Sequence, residues 1–298
     1  MAWADQQIEW RADGAAVRIG LTRFGSGPGL LLLPALSSIS TRAELRPLQS
    51  LLGRAFSTLA VDWPGFGELP RPKVDWRPEL YRAFLRFLLA EVAGPGALVA
   101  AGHAAGYALA QAAEEPASVT RLVLLSPTWR GPLPTMAGKR LGLFAGLVRA
   151  VDLPLAGRAL YRLNVNGPVI RRMARGHVYA DPAWLTAERL AAKRAVTAAP
   201  GARHASFRFV AGALDPFPDR QAFLAAARRV EGALLLLYGA EAPPKSRAEM
   251  AALGALEGVS SVVLPRGKLS FYEEFPEATA AAILGGLEGD SQGRIQAS

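Results

Sequence analysis

Residues 97–113 read ALVAAGHAAGYALAQAA, and this stretch decides the fold. A short apolar run is followed by Gly-His-Ala-Ala-Gly at 102–106 and then by an alanine-rich segment. An apolar run bounded by glycine is typical of a buried strand, while alanine favours a helix. The stretch therefore predicts a strand, a tight glycine turn and a helix, in that order.

Strand and helix signals alternate on both sides of this turn. A Leu-rich run ending at a proline predicts a buried strand at 29–34, and STLAVDW predicts another at 57–63, before the turn PGFG. Such alternation winds into a mostly parallel, doubly wound sheet, and ligands then bind beyond the carboxyl ends of its strands. The remaining predicted elements are strands at 16–24, 119–125, 233–238 and 260–264, and helices at 42–52, 79–92, 219–229, 246–256 and 276–287.

The alternation breaks between residues 128 and 206, where helical segments at 140–151, 155–163 and 183–197 follow one another. We interpret this region as a helical cap inserted into an α/β core of residues 1–127 and 207–287. Residues 288–298 are polar, which predicts a disordered tail.

Four motifs surround the turn in a specific order. They are LPALSS at 33–38, DWPGFG at 62–67, LSPTW at 125–129 and LPRGKLSFYEEFPE at 264–277. With the glycine turn, they make the chain resemble the α/β-hydrolase superfamily over nearly its whole length. The resemblance implies a nucleophile elbow of the form G-x-S-x-G, a histidine after the last strand and an acid after the strand at 233–238.

All three catalytic positions depart from that pattern. Ala104 stands where the nucleophilic serine is expected, Lys268 where the histidine is expected, and Glu241 or Ala242 near the position of the acid. A methyl group cannot attack a carbonyl or form an acyl-enzyme. We therefore interpret the triad as degenerate by inheritance and expect no serine-type hydrolysis.

The oxyanion side needs only backbone N–H groups, so it does not depend on side-chain identity. Ala105 after the elbow, and Ala35 or Leu36 after the Leu-rich strand, are the candidate donors. The chain also resembles a group of cyanobacterial and plastid hydrolase-like proteins that share an AGHA elbow, here at 101–104, and a PTWxGPLP segment, here at 127–134. That resemblance favours a natural alanine and implies no substrate.

Side chains near the elbow could serve chemistry or packing. His103 could act as a base near neutrality, or pack beneath the sheet edge. Tyr107 could carry a proton, and Lys268 could be a buried base or a solvated loop residue. Glu241 could pair with Lys268, which would keep both side chains ionised and inert.

Further candidates lie at the entrance to the cap. Trp129 and Arg130 could line a pocket, with the guanidinium binding a carboxylate or phosphate, or they could pack the hinge and cap a helix end. Asp181, before Pro182, most simply caps the following helix. Its spacing from His177 and His204 does not favour a metal site, and we predict neither a metal nor a cofactor.

Positive charge is concentrated in the cap. Of a net +9, the segment 130–208 carries +11 and the rest of the chain −2. Such a field favours an anionic ligand, an anionic membrane or an acidic partner, although a solvated surface in an arginine-rich chain is the alternative. The mixture of leucine and arginine over 141–175 is typical of an amphipathic element at a membrane, or of cap helices over an apolar pocket.

Composition excludes several classes of protein. The absence of cysteine excludes disulfides and thiol chemistry, and nucleic-acid motifs are missing. The N-terminus lacks the pattern of a signal peptide, so we expect a cytoplasmic protein of unknown oligomeric state. Three hypotheses follow: a binder of a small or lipid-like molecule under the cap, an enzyme of hydrolase, lyase or isomerase type using non-triad residues, and an adaptor that meets an acidic partner or a membrane.

Overall fold

The computed structural model describes residues 2–295, and their side chains as far as Leu287. Eight strands form one sheet in the order β1-β2-β4-β3-β5-β6-β7-β8. Pairs that involve β2 are antiparallel, and all other pairs are parallel. The strands are β1 (Ala4–Ala12), β2 (Ala15–Phe24), β3 (Gly29–Leu33), β4 (Ser57–Val61), β5 (Gly96–Ala101), β6 (Val119–Leu125), β7 (Ala233–Gly239) and β8 (Val259–Leu264).

Strand β1 is the one strand of this sheet that the sequence analysis did not predict. Its sequence, ADQQIEWRA, is mostly polar because it lies at the edge of the sheet with much of its length exposed. Asp13 and Gly14 join it to β2 with φ angles of 47° and 82°. An Asp-Gly pair with both φ angles positive is the preferred two-residue hairpin turn, and this was the available signal.

Helices cover both faces of the sheet, which confirms the doubly wound α/β fold. One face buries Leu48 and Ile283, and the other buries Phe84, Leu109 and Phe223. Near-continuous leucine in β3 and β7 reflects burial on both faces. The helices of the core are α1 (Arg46–Leu52, after a 3₁₀ turn at Arg42–Leu45), α2 (Pro78–Phe87, extended by a π-helical turn) and α3 (Ala104–Glu114) before the cap, and α10 (Arg220–Ala227), α11 (Pro244–Gly254), α12 (Phe271–Glu274) and α13 (Pro276–Ile295) after it.

Six helices lie between β6 and α10, where the cap was predicted. The second, third and last of them pack on one another through Val151, Tyr161 and Phe207. They are α4 (Pro132–Ala137), α5 (Gly142–Val151), α6 (Ala156–Asn164), α7 (Gly167–Met173), α8 (Ala187–Ala198) and α9 (Arg203–Val210).

Two of the predicted helix ends differ most from the structure. Helix α8 begins after Thr186, whose side chain accepts the N–H of Arg189; Asp181 accepts instead from Ala183 in the preceding turn, so it does not cap the helix. Helix α13 continues to Ile295, so the tail predicted from 288 overlaps a helix, and residues 296–298 lie outside the described part of the chain. Within that described part, no helix combines the length and apolarity that crossing a bilayer requires.

Candidate active site

The elbow has the expected strand, turn and helix, and its apex residue lies in the helix. Gly102 adopts φ +53°, and a Cβ there would lie 3.1 Å from that of Ala35. Ala104 is the first residue of α3, and among residues 2–295 only Asp13 and Ser126 combine a side chain with positive φ. The backbone of the apex residue is therefore helical, without a positive φ angle.

The apex is also enclosed. Ala104, Ala105 and Leu36 have no exposed surface, so no water-sized space adjoins the methyl group where a hydroxyl would stand. The N–H of Ala105 donates to the carbonyl of Gly102 at 3.3 Å, which uses the expected oxyanion donor within the turn. A cleft of about 90 Å³, lined by Leu30, Ser57 and Gly96 among others, lies at the opposite, amino ends of the strands.

Tyr272 lies near Ala35, one of the two candidates for the second oxyanion donor. Burial, together with the nearby Glu44 and Glu273, raises its pKa well above the ordinary range. Ser270 and the backbone of Ala35 act to lower the same pKa. Both groups therefore lie close to the phenol. The side chain is 1% exposed, so an aromatic ring occupies space next to the predicted oxyanion donor.

Lys268 and Glu241 do not pair with each other. Lys268 Nζ donates to the Arg175 carbonyl at 2.5 Å, which ties the loop after β8 to the cap. Glu241 is exposed and accepts the N–H of Gly267 at 2.8 Å. The predicted ion pair is wrong because each side chain has a backbone partner, and Ala242 beside them is buried and carries no chemistry.

His103 and Tyr107 both donate to one backbone carbonyl. Their distances to the Leu214 oxygen are 2.9 Å and 2.7 Å. Burial lowers the pKa of His103 even though the Asp215 carboxylate, 3.5 Å from Nε2, opposes the shift. Asp215 in turn accepts from Gly131 and pairs with Arg140 at 2.8 Å. The group therefore joins α3 to the entrance of the cap, in agreement with the packing alternative for His103.

Trp129 and Arg130 also take their structural alternatives. The indole is 6% exposed, stacks on Phe223 and donates to Glu249 at 3.3 Å. Arg130 lies over the indole and donates to the carbonyl of Gly138, the C-cap residue of α4. Neither side chain forms a binding fork at the elbow.

A buried charged cluster lies between the cap and the core, and sequence reasoning missed it. Lys193 of α8 forms an ion pair with Glu44 and another, at 3.1 Å, with Glu273 of α12. Tyr179 donates to Glu273 at 3.0 Å. The three charged side chains are at most 7% exposed. This cap latch, comprising Lys193, Glu44, Glu273 and Tyr179, closes the cap over the carboxyl ends of the strands.

The cap latch holds two carboxylates against one ammonium. Burial, and repulsion from Glu273, raises the pKa of Glu44 to about 8, while Lys193 opposes the shift. The two carboxylates outweigh burial at Lys193 and raise its pKa. Glu44 therefore holds its proton to a higher pH than a free carboxyl group does. The only feature of the sequence that indicated the cap latch was Lys193, one of five lysines among 34 basic residues.

Among the side chains described as far as Leu287, no other catalytic serine replaces Ala104. The Ser126 hydroxyl is buried without a hydrogen-bond partner, at φ 43° on the end of β6. His204 pairs with Asp152 at 2.6 Å, and His177 is exposed. Over the side chains described, no serine hydroxyl bonds to a histidine, and no three His, Asp or Glu groups could hold a metal ion.

Sheet order, the strand-turn-helix at residues 96–114 and the helical insertion together define an α/β-hydrolase fold. A family model described as the alpha/beta hydrolase family matches residues 30–282, and the chain belongs to this family. No curated protein matches the sequence.

Solved structures share this fold at low sequence identity. A haloalkane dehalogenase loop variant from Bradyrhizobium elkanii is 20% identical with a TM-score of 0.71, covering 99% of this chain and 100% of its own. A probable hydrolytic enzyme from Pseudomonas aeruginosa PAO1 is 17% identical with a TM-score of 0.72 over 96% and 95% of the two chains. An epoxide hydrolase is 17% identical with a TM-score of 0.72, covering 96% of this chain and 99% of its own. At these identities the likeness concerns the fold.

Proposed function

We propose that this chain is a non-hydrolytic member of its family that acts by binding. The observation that carries the proposal is Ala104, an apex residue with no nucleophile and no exposed surface. Serine-type chemistry needs a nucleophile within reach of a base, together with free oxyanion donors. The described geometry supplies neither at this position.

The remaining site residues support the same proposal. Lys268, His103 and Tyr107, the proton carriers of an alternative enzyme, each donate to a backbone carbonyl. His103 is 2% and Tyr107 1% exposed, so a substrate would have to displace packed structure to reach them. The cap latch adds a further barrier, because opening it would expose or separate three buried charges.

The direction of the cap's charge suggests where binding occurs. Arg158, Arg162, Arg171, Arg172 and Arg175 are all exposed, so they face solvent rather than the elbow. An acidic or anionic partner would therefore meet the outside of the cap. Binding of a small or lipid-like molecule under the cap stays a prediction.

The test combines a substrate-independent probe with turnover assays. A fluorophosphonate phosphonylates an activated serine whatever the substrate, and p-nitrophenyl esters of increasing acyl length report hydrolysis. We expect no labelling and no turnover with the native chain. Ala104→Ser is also expected to stay inactive, because the neighbouring His103 is bonded to the Leu214 carbonyl and His204 to Asp152.

Two results would overturn the proposal. One is fluorophosphonate labelling of the native chain that maps to a serine such as Ser126. The other is ester turnover that survives repurification and disappears in Lys268→Ala. A paired measurement of Lys245→Ala, which removes another lysine bonded only to backbone carbonyls, controls for nonspecific loss.

A further inference from the structure

We propose that the outer face of the cap binds an anionic lipid bilayer, an inference that rests on the proposed binding function and names its partner. The cap face is defined by exposed apolar and basic residues of α4 to α7 and their connecting turns. Leu143 is 68%, Leu155 80% and Leu163 71% exposed. Its other large apolar members are Met136, Leu141 and Leu153.

These leucines are not needed for packing within the cap. Helices α5 and α6 contact each other and α9, and they already bury Val151 and Tyr161 against Phe207. Leu163 lies two residues beyond Tyr161, which places it on the opposite side of α6. Leu153 and Leu155 flank the turn between the helices. These exposed side chains therefore lie outside the packed interior of the cap, and the described part of the chain does not cover them.

Basic residues accompany these apolar side chains, and acids are missing. Residues 153–180 contain five arginines and no Asp or Glu. These arginines form no ion pair with any acid in the described part of the chain. Of the two acids that flank this stretch, Asp152 is bound to Arg208 and His204, and Asp181 accepts the N–H of Ala183. The positive charge thus remains available to an external anion.

This combination fits a lipid surface better than a protein partner. Stable protein interfaces concentrate aromatic residues and deplete charge at their centres. The cap face instead distributes single leucines among arginines, as in helices that lie in the plane of an anionic bilayer. Leucine side chains would enter the acyl boundary, while guanidinium groups contact lipid phosphates.

Vesicle co-sedimentation tests the inference directly. The full chain is mixed with vesicles of phosphatidylcholine alone or of phosphatidylcholine with phosphatidylglycerol. We expect binding to the anionic vesicles only, weakened by added salt. Arg158→Gln/Arg162→Gln should lower the affinity roughly ten- to thirty-fold, since each basic residue near such a surface contributes on the order of a factor of five. Leu155→Ser/Leu163→Ser should also release the protein.

Matched variants separate this effect from general loss of charge or apolar surface. Arg18→Gln/Arg54→Gln removes two exposed arginines outside the cap, and Val262→Ser/Val263→Ser removes apolar side chains 38% and 49% exposed on β8. Both controls should bind like the native chain, and circular dichroism should show all four variants folded. Absence of binding to anionic vesicles, or equal loss in the controls, would overturn the inference. Either result would leave the proposed lack of hydrolysis standing, because that depends on labelling and turnover.

Discussion

Replacing Glu44 with glutamine should change how the stability of this protein depends on pH. In the folded chain the pKa of Glu44 is raised from 4.5 to about 8 by burial and by Glu273. The folded state then binds more protons than the unfolded state between these two values. A raised carboxyl pKa contributes stability that is fully present below the unfolded value and lost as the pH rises through the folded value.

The size of the effect follows from the shift. One extra bound proton lowers the free energy of unfolding by about 1.4 kcal/mol for each pH unit. Over the whole window this amounts to roughly 5 kcal/mol of lost stability, as an upper limit. Glu44→Gln has no proton to lose at this position, so it should keep the stability that the native chain loses.

Urea unfolding followed by tryptophan fluorescence measures this difference, because Trp63 and Trp76 are buried. The free energy of unfolding would be compared at several pH values between about 5 and 8.5. Taking the difference between the native chain and the variant cancels the contributions of titrating groups that both share, such as His103. The variant should be similar to the native chain in acid and several kcal/mol more stable in base. Glu257→Gln, at an exposed carboxyl group, is the matched control. Parallel curves for Glu44→Gln and the native chain would refute the reasoning.

Two further variants test the contacts that close the site. Lys193→Met should cost about 3–5 kcal/mol at neutral pH, since it leaves two buried carboxyl groups without their cation, and urea unfolding should show a smaller loss in acid. Equal losses in acid and at neutral pH would contradict this account. Gly239→Ala should lower the melting temperature by about 4 °C or more, because its Cβ would overlap the Gly267 carbonyl. In calorimetry, Gly142→Ala, with open space around its Cβ, should stay near the native value, and a similar fall in both would count against the packing argument.

Local sequence patterns predicted most of the core. Leu-rich strands, the glycine turn at 102–106 and the alanine-rich helix α3 depend on periodicity and turn chemistry within short windows, and the structure contains all of them. Strand β1 escaped prediction because an exposed edge strand needs no apolar face. The Asp-Gly pair at 13–14 indicated a hairpin turn, but the prediction gave more weight to the pattern of apolar residues.

Contacts between distant segments were beyond local patterns. Lys193 meets Glu44 across 149 positions and Glu273 across 80, and nothing near any of the three indicates the others. The partners of Lys268 and Glu241 were likewise backbone groups, which carry no residue identity for a pattern to show. The expected ion pair between the two side chains was wrong because it rested only on their opposite charges.

The amino-acid sequence by itself determined that an alanine follows Gly-His at the end of a central strand, and side-chain identity alone removes nucleophilic chemistry there. Only the tertiary structure decided that the alanine is enclosed, that its backbone is unstrained and that the arginines of the cap face outward. The physical reason is that chemical identity belongs to one residue, whereas burial, backbone partners and the direction of a charge depend on everything packed around it.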